Sequence, residues 1–204
     1  MDVLIDASST TSLADKIMKS PLVLASGSPR RKELLSQLGY DFQVIVTDVE
    51  ENRLAGESPE QYVKRLSFDK ASAGLSSLGS KSIVLGSDTI VVIGDTVLEK
   101  PDDLSDSKQM LMKLSDSCHQ VLTAVTVISE QKHKSVVVST NVWFKPLSEK
   151  EIEEYWQTGE PCDKAGSYGI QGLGGRFVTR IEGSYFAVVG LPLYETDQLL
   201  HEFL

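Results

Sequence analysis

The sequence predicts an α/β fold built on a mixed sheet rather than a regular βαβ array. Apolar β-rich runs and stretches of helical spacing alternate along the chain. Two β-rich runs, 120–129 and 135–144, follow one another with no helix between them, and Gly94-Asp95 closes a hairpin, so adjacent strands must pair antiparallel. No internal repeat or low-complexity linker divides the 204 residues, which are 41% hydrophobic and suffice for a real core.

Taken in order, residues 1–20 are Ser/Thr-rich, contain Asp2, Asp6 and Asp15 and lack arginine. They match neither a secretory signal nor a transit peptide and read as an N-terminal extension to a unit spanning 21–204. Leu22, Val23 and Leu24 begin the first strand. Ser28 is an N-cap and Pro29 a first helical residue, opening a helix with Leu34, Leu35 and Leu38 that stops at Gly39. Residues 40–47 place Phe42, Val44 and Val46 on one strand face and end in Asp48, Glu50 and Glu51. Ser58-Pro59-Glu60-Gln61 is a capping box opening a helix with Val63, Leu66, Lys70 and Ala73 along one side. The β-branched run 82–93 is interrupted only by Gly86-Ser87-Asp88-Thr89, and 96–98 returns beside it. A helix is expected over 106–114, and a second capping box at Ser148 opens one that buries Ile152, Tyr155 and Trp156. The last quarter holds a Gly-rich segment (166–175), apolar runs at 177–181 and 187–191, and a terminal helix from Tyr194.

Composition excludes several functions. A net charge of −9 and a pI near 4.9 oppose binding to nucleic acid or an anionic membrane over a broad surface. No apolar run reaches the ~20 residues that cross a bilayer. Cys118 and Cys162 are too few and too separated for a disulfide framework or a zinc knuckle, and read as buried free thiols in a reducing compartment. His119, His133 and His201 have no metal or triad spacing, and no serine stands in a Gly-x-Ser-x-Gly elbow.

Five features remain. Arg30, Arg31 and Lys32 fall in the first turn of a helix, where they oppose the partial positive charge of its N-terminus unless an anion is bound. Small residues before that turn leave backbone N–H groups free for a phosphate. Asp88 lies within an apolar run, where a bare carboxylate is costly and must be paired, coordinate a metal or be protonated. Glu50-Glu51 offers hard oxygen ligands for Mg²⁺ or Mn²⁺, although a solvated charge run looks the same. Lys70 lies on an apolar helix side, with a functional role and a snorkelling role both open; Lys100 follows the hairpin. Finally, Lys164 to Gly175 is neither a Walker loop nor a dinucleotide fingerprint, and its glycines around Gln171 suggest backbone close to a flat ligand whose edge that glutamine reads, or else a turn with no ligand. The set fits nucleotide hydrolysis by metal-assisted attack of water.

Ser26-Gly27-Ser28-Pro29-Arg30-Arg31-Lys32-Glu33-Leu34-Leu35, Gly86-Ser87-Asp88-Thr89, Glu99-Lys100-Pro101 and Lys164-Ala165-Gly166-Ser167-Tyr168-Gly169-Ile170-Gln171-Gly172 together resemble the Maf family of nucleoside triphosphate pyrophosphatases. The resemblance runs from about Pro21 to the C-terminus. It implies an elongated, twisted mixed sheet flanked by helices, with two lobes around a cleft, similar to inosine triphosphate pyrophosphatases. It also implies cleavage between the α- and β-phosphates with a divalent cation, Mg²⁺ or Mn²⁺. Asp88 falls on the family's catalytic carboxylate, and Ser26, Arg30, Arg31, Glu51, Lys70 and Lys100 on its substrate-anchoring positions. With Ser28 at the helix start, the expected roles are catalysis by Asp88, Glu51 and Lys100, metal binding by Asp88 and Glu51, and a grip on the phosphates by Ser26, Ser28, Arg30, Arg31 and Lys70. Thr89 and Tyr168 to Gly172 match the branch acting on dTTP and UTP, whose sister branch acting on 7-methyl-GTP carries glutamine after the aspartate. Arg30, Thr89 and Gln171 are therefore the expected specificity residues. A cytoplasmic homodimer is implied as well, with no nucleic-acid or membrane partner. The rival readings are a nucleotide-binding regulator of septation and a house-cleaning pyrophosphatase for other non-standard nucleotides.

Overall fold

The computed structural model describes residues 21–78 and 81–204; the expected N-terminal extension lies outside them. Seven strands form one sheet in the order β2-β1-β3-β5-β6-β7, with β4 also paired to β3. β1 (Leu22–Ala25) runs parallel to both β2 (Phe42–Ile45) and β3 (Ile83–Ile93). Those parallel links cross through α1 (Pro29–Gln37) and α2 (Pro59–Leu78), as parallel pairing demands. β4 (Thr96–Leu98), β5 (Cys118–Ile128), β6 (His133–Phe144) and β7 (Val178–Glu182) join by antiparallel pairing. The expected mixed sheet is therefore present.

The caps behave as read. Ser28 accepts from the Arg31 N–H, Ser58 and Gln61 bond reciprocally, and Ser148 and Glu151 form the second capping box of α4 (Glu149–Gln157). α3 (Leu104–Leu114) starts two residues before the expected 106, because Asp103 caps it by accepting from the Asp106 N–H. The run 187–191 enters a short helix, α5 (Tyr185–Val189), and α6 (Leu193–His201) ends the chain.

Three details depart from the sequence reading, the first being that α4 buries Ile152 and Tyr155 but leaves Trp156 half-buried. β2 ends at Ile45, and its packed residues are Phe42 and Ile45, whereas Val44 and Val46 are exposed. As an edge strand of four residues it has only β1 for a neighbour, so alternation there does not define a buried face. Both cysteines are free but exposed: Cys118 opens β5 on the side opposite buried His119, and Cys162 lies in a 3₁₀ turn.

The two sides of β3 are covered by different elements. On one side Val84, Ile90 and Val92 pack against Val63, Leu66 and Ala71 of α2. On the other side Leu85 packs with Leu34 and Leu35 of α1 and Leu199 and Leu200 of α6. Six residues on, Val91 joins a second cluster with Leu111 and Leu114 of α3 and Ile152 and Tyr155 of α4. These two clusters form two lobes with Ser87 and Thr89 between them. At Gly86 β3 lies close against α2: a Cβ there would lie 2.3 Å from the Ser67 carbonyl oxygen and 2.6 Å from the Ala71 nitrogen. The backbones of α2 and β3 meet at this point because no side chain intervenes.

Candidate active site

β3 is not interrupted at residues 86–89, as the sequence suggested; it is one strand of eleven residues paired to β5 continuously from Val84 to Val92, with Asp88 opposite Ala124 and Thr89 opposite Thr123. The interruption is in its other neighbour. Along that second edge β1 pairs through Gly86 and β4 begins pairing at Val91, so Ser87, Asp88, Thr89 and Ile90 have no strand beside them. Chain leaving β1 (Ser26–Arg31) and chain leaving β4 (Glu99, Lys100) border this gap. It opens into a cleft of about 440 Å³ lined by those segments, by Glu51 and Lys70, and by residues 163–165 and 168–172.

Asp88 is 6% exposed, and its Oδ1 lies 2.6 Å from the Lys70 Nζ. The same ammonium is 2.7 Å from Glu51 Oε1, and Lys100 Nζ is 3.9 Å from Glu51 Oε2. Lys70 thus runs its stem along the packed side of α2, as a snorkelling lysine does, and puts its charge between two carboxylates. Tyr62, fully buried on α2, donates to the Glu51 carbonyl at 2.7 Å and fixes the loop that supplies the carboxylate. Burial raises the Asp88 pKa, with the Lys70 and Arg31 charges pulling against it. Burial pushes Glu51 the same way, but the Lys70 hydrogen bond and the Lys70, Lys100 and Arg31 charges outweigh it and leave Glu51 lowered. Glu99 at the cleft border is raised by burial, with Asp88 and Glu51 adding to the effect. Glu50, by contrast, only bonds to Asn52 among the described residues and belongs to the solvated surface.

On the anion side, Ser26 is buried and accepts from the Ser28 N–H at 3.2 Å and from Arg31 at 3.5 Å. Ser28 and Arg30 line the cleft at the start of α1, and Arg30 makes no hydrogen bond to another described residue. Arg31 is anchored: its Nε donates to the Gly190 carbonyl at 2.9 Å and its second amino group to Thr89 Oγ1 at 3.2 Å. Lys32 points away from the cleft lining and is exposed.

Whether the acidic pair fits a divalent cation turns on its free oxygens. One oxygen of each carboxylate is on Lys70, while Asp88 Oδ2 and Glu51 Oε2 receive no hydrogen bond from a described residue. No group of three His, Cys, Asp or Glu side chains arranged to hold an ion occurs among the described residues. The pair therefore suits Mg²⁺ shared with substrate phosphates, not an all-protein cage.

The Gly-rich wall is held by residues that sequence inspection missed. Glu160 Oε1 accepts from Tyr155 at 2.7 Å and from the Gly174 N–H at 3.0 Å, while Oε2 accepts from the Leu173 N–H at 2.9 Å. The Tyr155 hydroxyl in turn accepts from the Gly169 N–H at 3.0 Å. A Cβ at Gly172 would sit 2.2 Å from Glu160 Oε2, and one at Gly174 would sit 2.6 Å from the Tyr155 hydroxyl. These glycines admit the protein's own side chains rather than leave room for a flat ligand. Gln171 stands exposed on the cleft border, and buried Tyr168 shares a hydrogen bond of 2.8 Å with His119 Nε2. Glu160 gave no local signal, since its partners lie up to fourteen residues downstream; Thr123 stood in plain sight as a polar residue within the β5 apolar run.

The family profile described as "Maf-like protein" matches residues 21–203. A protein of Vibrio cholerae serotype O1 named dTTP/UTP pyrophosphatase is 70% identical over 184 residues, covering 90% of this chain and 98% of that one. A protein of the same name from Aliivibrio fischeri is 61% identical over 191 residues, covering 92% and 100%. Among solved structures, a nucleoside-triphosphatase (dITP/XTP pyrophosphatase) from Mycobacterium abscessus superposes with a TM-score of 0.41 at 16% identity, over 61% of this chain and 74% of that one.

Proposed function

The chain belongs to the Maf-like proteins, and on that premise we propose that it hydrolyses dTTP and UTP to the monophosphate and pyrophosphate. The observation that carries this reading is the Glu51–Lys70–Asp88 cluster facing the cationic start of α1 across a gap in the sheet. A hydrolase needs both halves: a grip for a polyanion and a proton acceptor beside it. The high identity to relatives named dTTP/UTP pyrophosphatase supports the substrate.

In this reading the triphosphate lies along Ser26, the Ser28 helix start, Arg30 and Arg31, where N–H groups and guanidinium donors complement its charge. Asp88 accepts the proton of the water that attacks the α-phosphorus. Its raised pKa makes it a stronger base than an ordinary aspartate, while the Lys70 and Arg31 charges favour its ionised form against burial. Lys70 and Lys100 offset charge on the departing pyrophosphate. Mg²⁺ or Mn²⁺, held by Asp88 and Glu51 together with substrate phosphates, would supply further charge neutralisation. Gln171, on the border formed by the Gly-rich wall, presents an amide to the pyrimidine edge. Cytoplasmic location and a homodimer belong to the same reading, the second checked by sedimentation.

Side-by-side turnover of dTTP, UTP, CTP, 7-methyl-GTP and inosine triphosphate, with pyrophosphate release as the readout, tests it. UTP and dTTP are expected to be the best substrates. A preference for 7-methyl-GTP or inosine triphosphate would overturn the assignment, and binding without pyrophosphate release would favour a regulator.

A further inference from the structure

The hydrogen bonds around Thr89 can be directed one by one. The Ala187 carbonyl of α5 can only accept, so the Thr123 hydroxyl, 2.6 Å away and fully buried, must give its proton there. Thr123 Oγ1 is also 2.9 Å from Thr89 Oγ1, and with its own proton committed it can only accept. Thr89 therefore donates to Thr123, and its oxygen accepts from Arg31 at 3.2 Å. The result is a one-way chain from Arg31 through Thr89 and Thr123 to Ala187. It is closed on the other side by the Gly190 carbonyl, which accepts from Arg31 at 2.9 Å and from Ser87 at 3.0 Å.

A threonine has one proton, and that of Thr89 is spent inside the protein, so it has none to offer a base edge. We infer that Thr89 and Thr123 act together as positioning residues for the Arg31 phosphate anchor, so that Thr89 sets the grip on the phosphates and donates no hydrogen bond to the base. This rests on the pyrophosphatase reading for what Arg31 holds, and it assigns Thr123, on the neighbouring strand, a role in the site. Replacing Thr123 by valine keeps the shape but leaves the Thr89 proton without an acceptor, freeing that hydroxyl to rotate away from Arg31.

The experiment is calorimetric titration with pyrophosphate in the presence of Mg²⁺, which needs no turnover, on wild type, Thr89→Val, Thr123→Val and the double variant. Each single change is expected to weaken pyrophosphate binding about tenfold, the size of one hydrogen bond to a charged group. The double variant should be no weaker than either single one, because both break the same chain. Thr89→Ser and Thr123→Ser, which retain the hydroxyl, should restore binding, and the ratio of UTP to CTP turnover should not move in any variant. Pyrophosphate binding that survives in Thr89→Val while the UTP-to-CTP ratio collapses would overturn the inference, as would additive losses or a wild type that does not bind pyrophosphate. Thr89→Val decides the matter alone if Thr123→Val does not fold. The expected binding pattern in a protein that hydrolyses neither UTP nor dTTP would sink the pyrophosphatase reading and leave this inference standing.

Discussion

As the proposed proton acceptor, Asp88 must be ionised in a place that disfavours its charge. Its pKa is raised by burial, so whatever stability it lends is present below the pKa it has in the unfolded chain and is lost as pH rises through its folded value. At neutral pH an uncharged isostere escapes that cost. Asp88→Asn should lower kcat by about 10³-fold, as for loss of a general base, while the melting temperature stays equal or rises. A kcat within tenfold of wild type would remove Asp88 from the chemistry. The same shift sets the acid limb of kcat/KM, which should lie above the ~3.9 of a free aspartate. Lys70→Gln removes the cation 2.6 Å from Asp88 and should push that limb higher still; a pH profile unmoved by the change would mean that Lys70 does not hold Asp88 ionised. Asp88 was legible in sequence because a carboxylate inside an apolar run demands an explanation. Its partner was only half legible, since nothing local tells a snorkelling lysine from one that meets a carboxylate eighteen residues on.

At the scale of elements, local signals did well. Ser28-Pro29, Ser58 to Gln61 and Ser148 to Glu151 placed three helix starts because a cap is satisfied within four residues. Contacts between elements were hidden, and the Gly-rich wall is the clearest case. Its glycines looked like room for a ligand but instead fit around Glu160 and Tyr155. Gly172→Ala drives a methyl into a carboxylate already committed to Tyr155 and two backbone N–H groups. We expect it to erode selectivity for UTP over CTP with a stability cost of about 1–3 kcal/mol, read by urea unfolding. Unchanged selectivity would detach the Glu160 anchor from base reading. The seam between α2 and β3 is less forgiving, because the atoms facing Gly86 are backbone and cannot turn aside. Gly86→Ala should separate Lys70 from Asp88 and lose both stability and activity, and a variant that melts with wild type would contradict the contact.

For the whole molecule, acid is the informative stress. His119 is 2% exposed, packed edge-on against Phe144 and Tyr168, and burial pushes its pKa down to about 4 from 6.5. A depressed folded pKa contributes stability above the unfolded value that is lost as pH falls toward the folded one, so the loss runs between pH 6.5 and about 4 and totals roughly 3 kcal/mol. Urea unfolding at pH 7 and pH 4.5 should show most of that loss in wild type and much less in His119→Gln; equal losses in the two would place the acid sensitivity elsewhere. The global plan was legible as a mixed sheet with two lobes, because strand adjacency and crossover helices leave periodic traces. The position of the cleft was not, because it depends on where two strands stop along a third, and register leaves no trace in either strand alone.

That register has a cost and a consequence. Two more residues of pairing from β1 and two from β4 would zip the open edge of β3 shut, adding about four backbone hydrogen bonds at about 0.5–1.5 kcal/mol each. Selection for a tougher sheet therefore pulls against selection for turnover at one identifiable stretch of chain. Stabilising changes chosen without regard to it would tend to heal the sheet at residues 87–90 and leave a sturdier protein with nowhere to put a triphosphate.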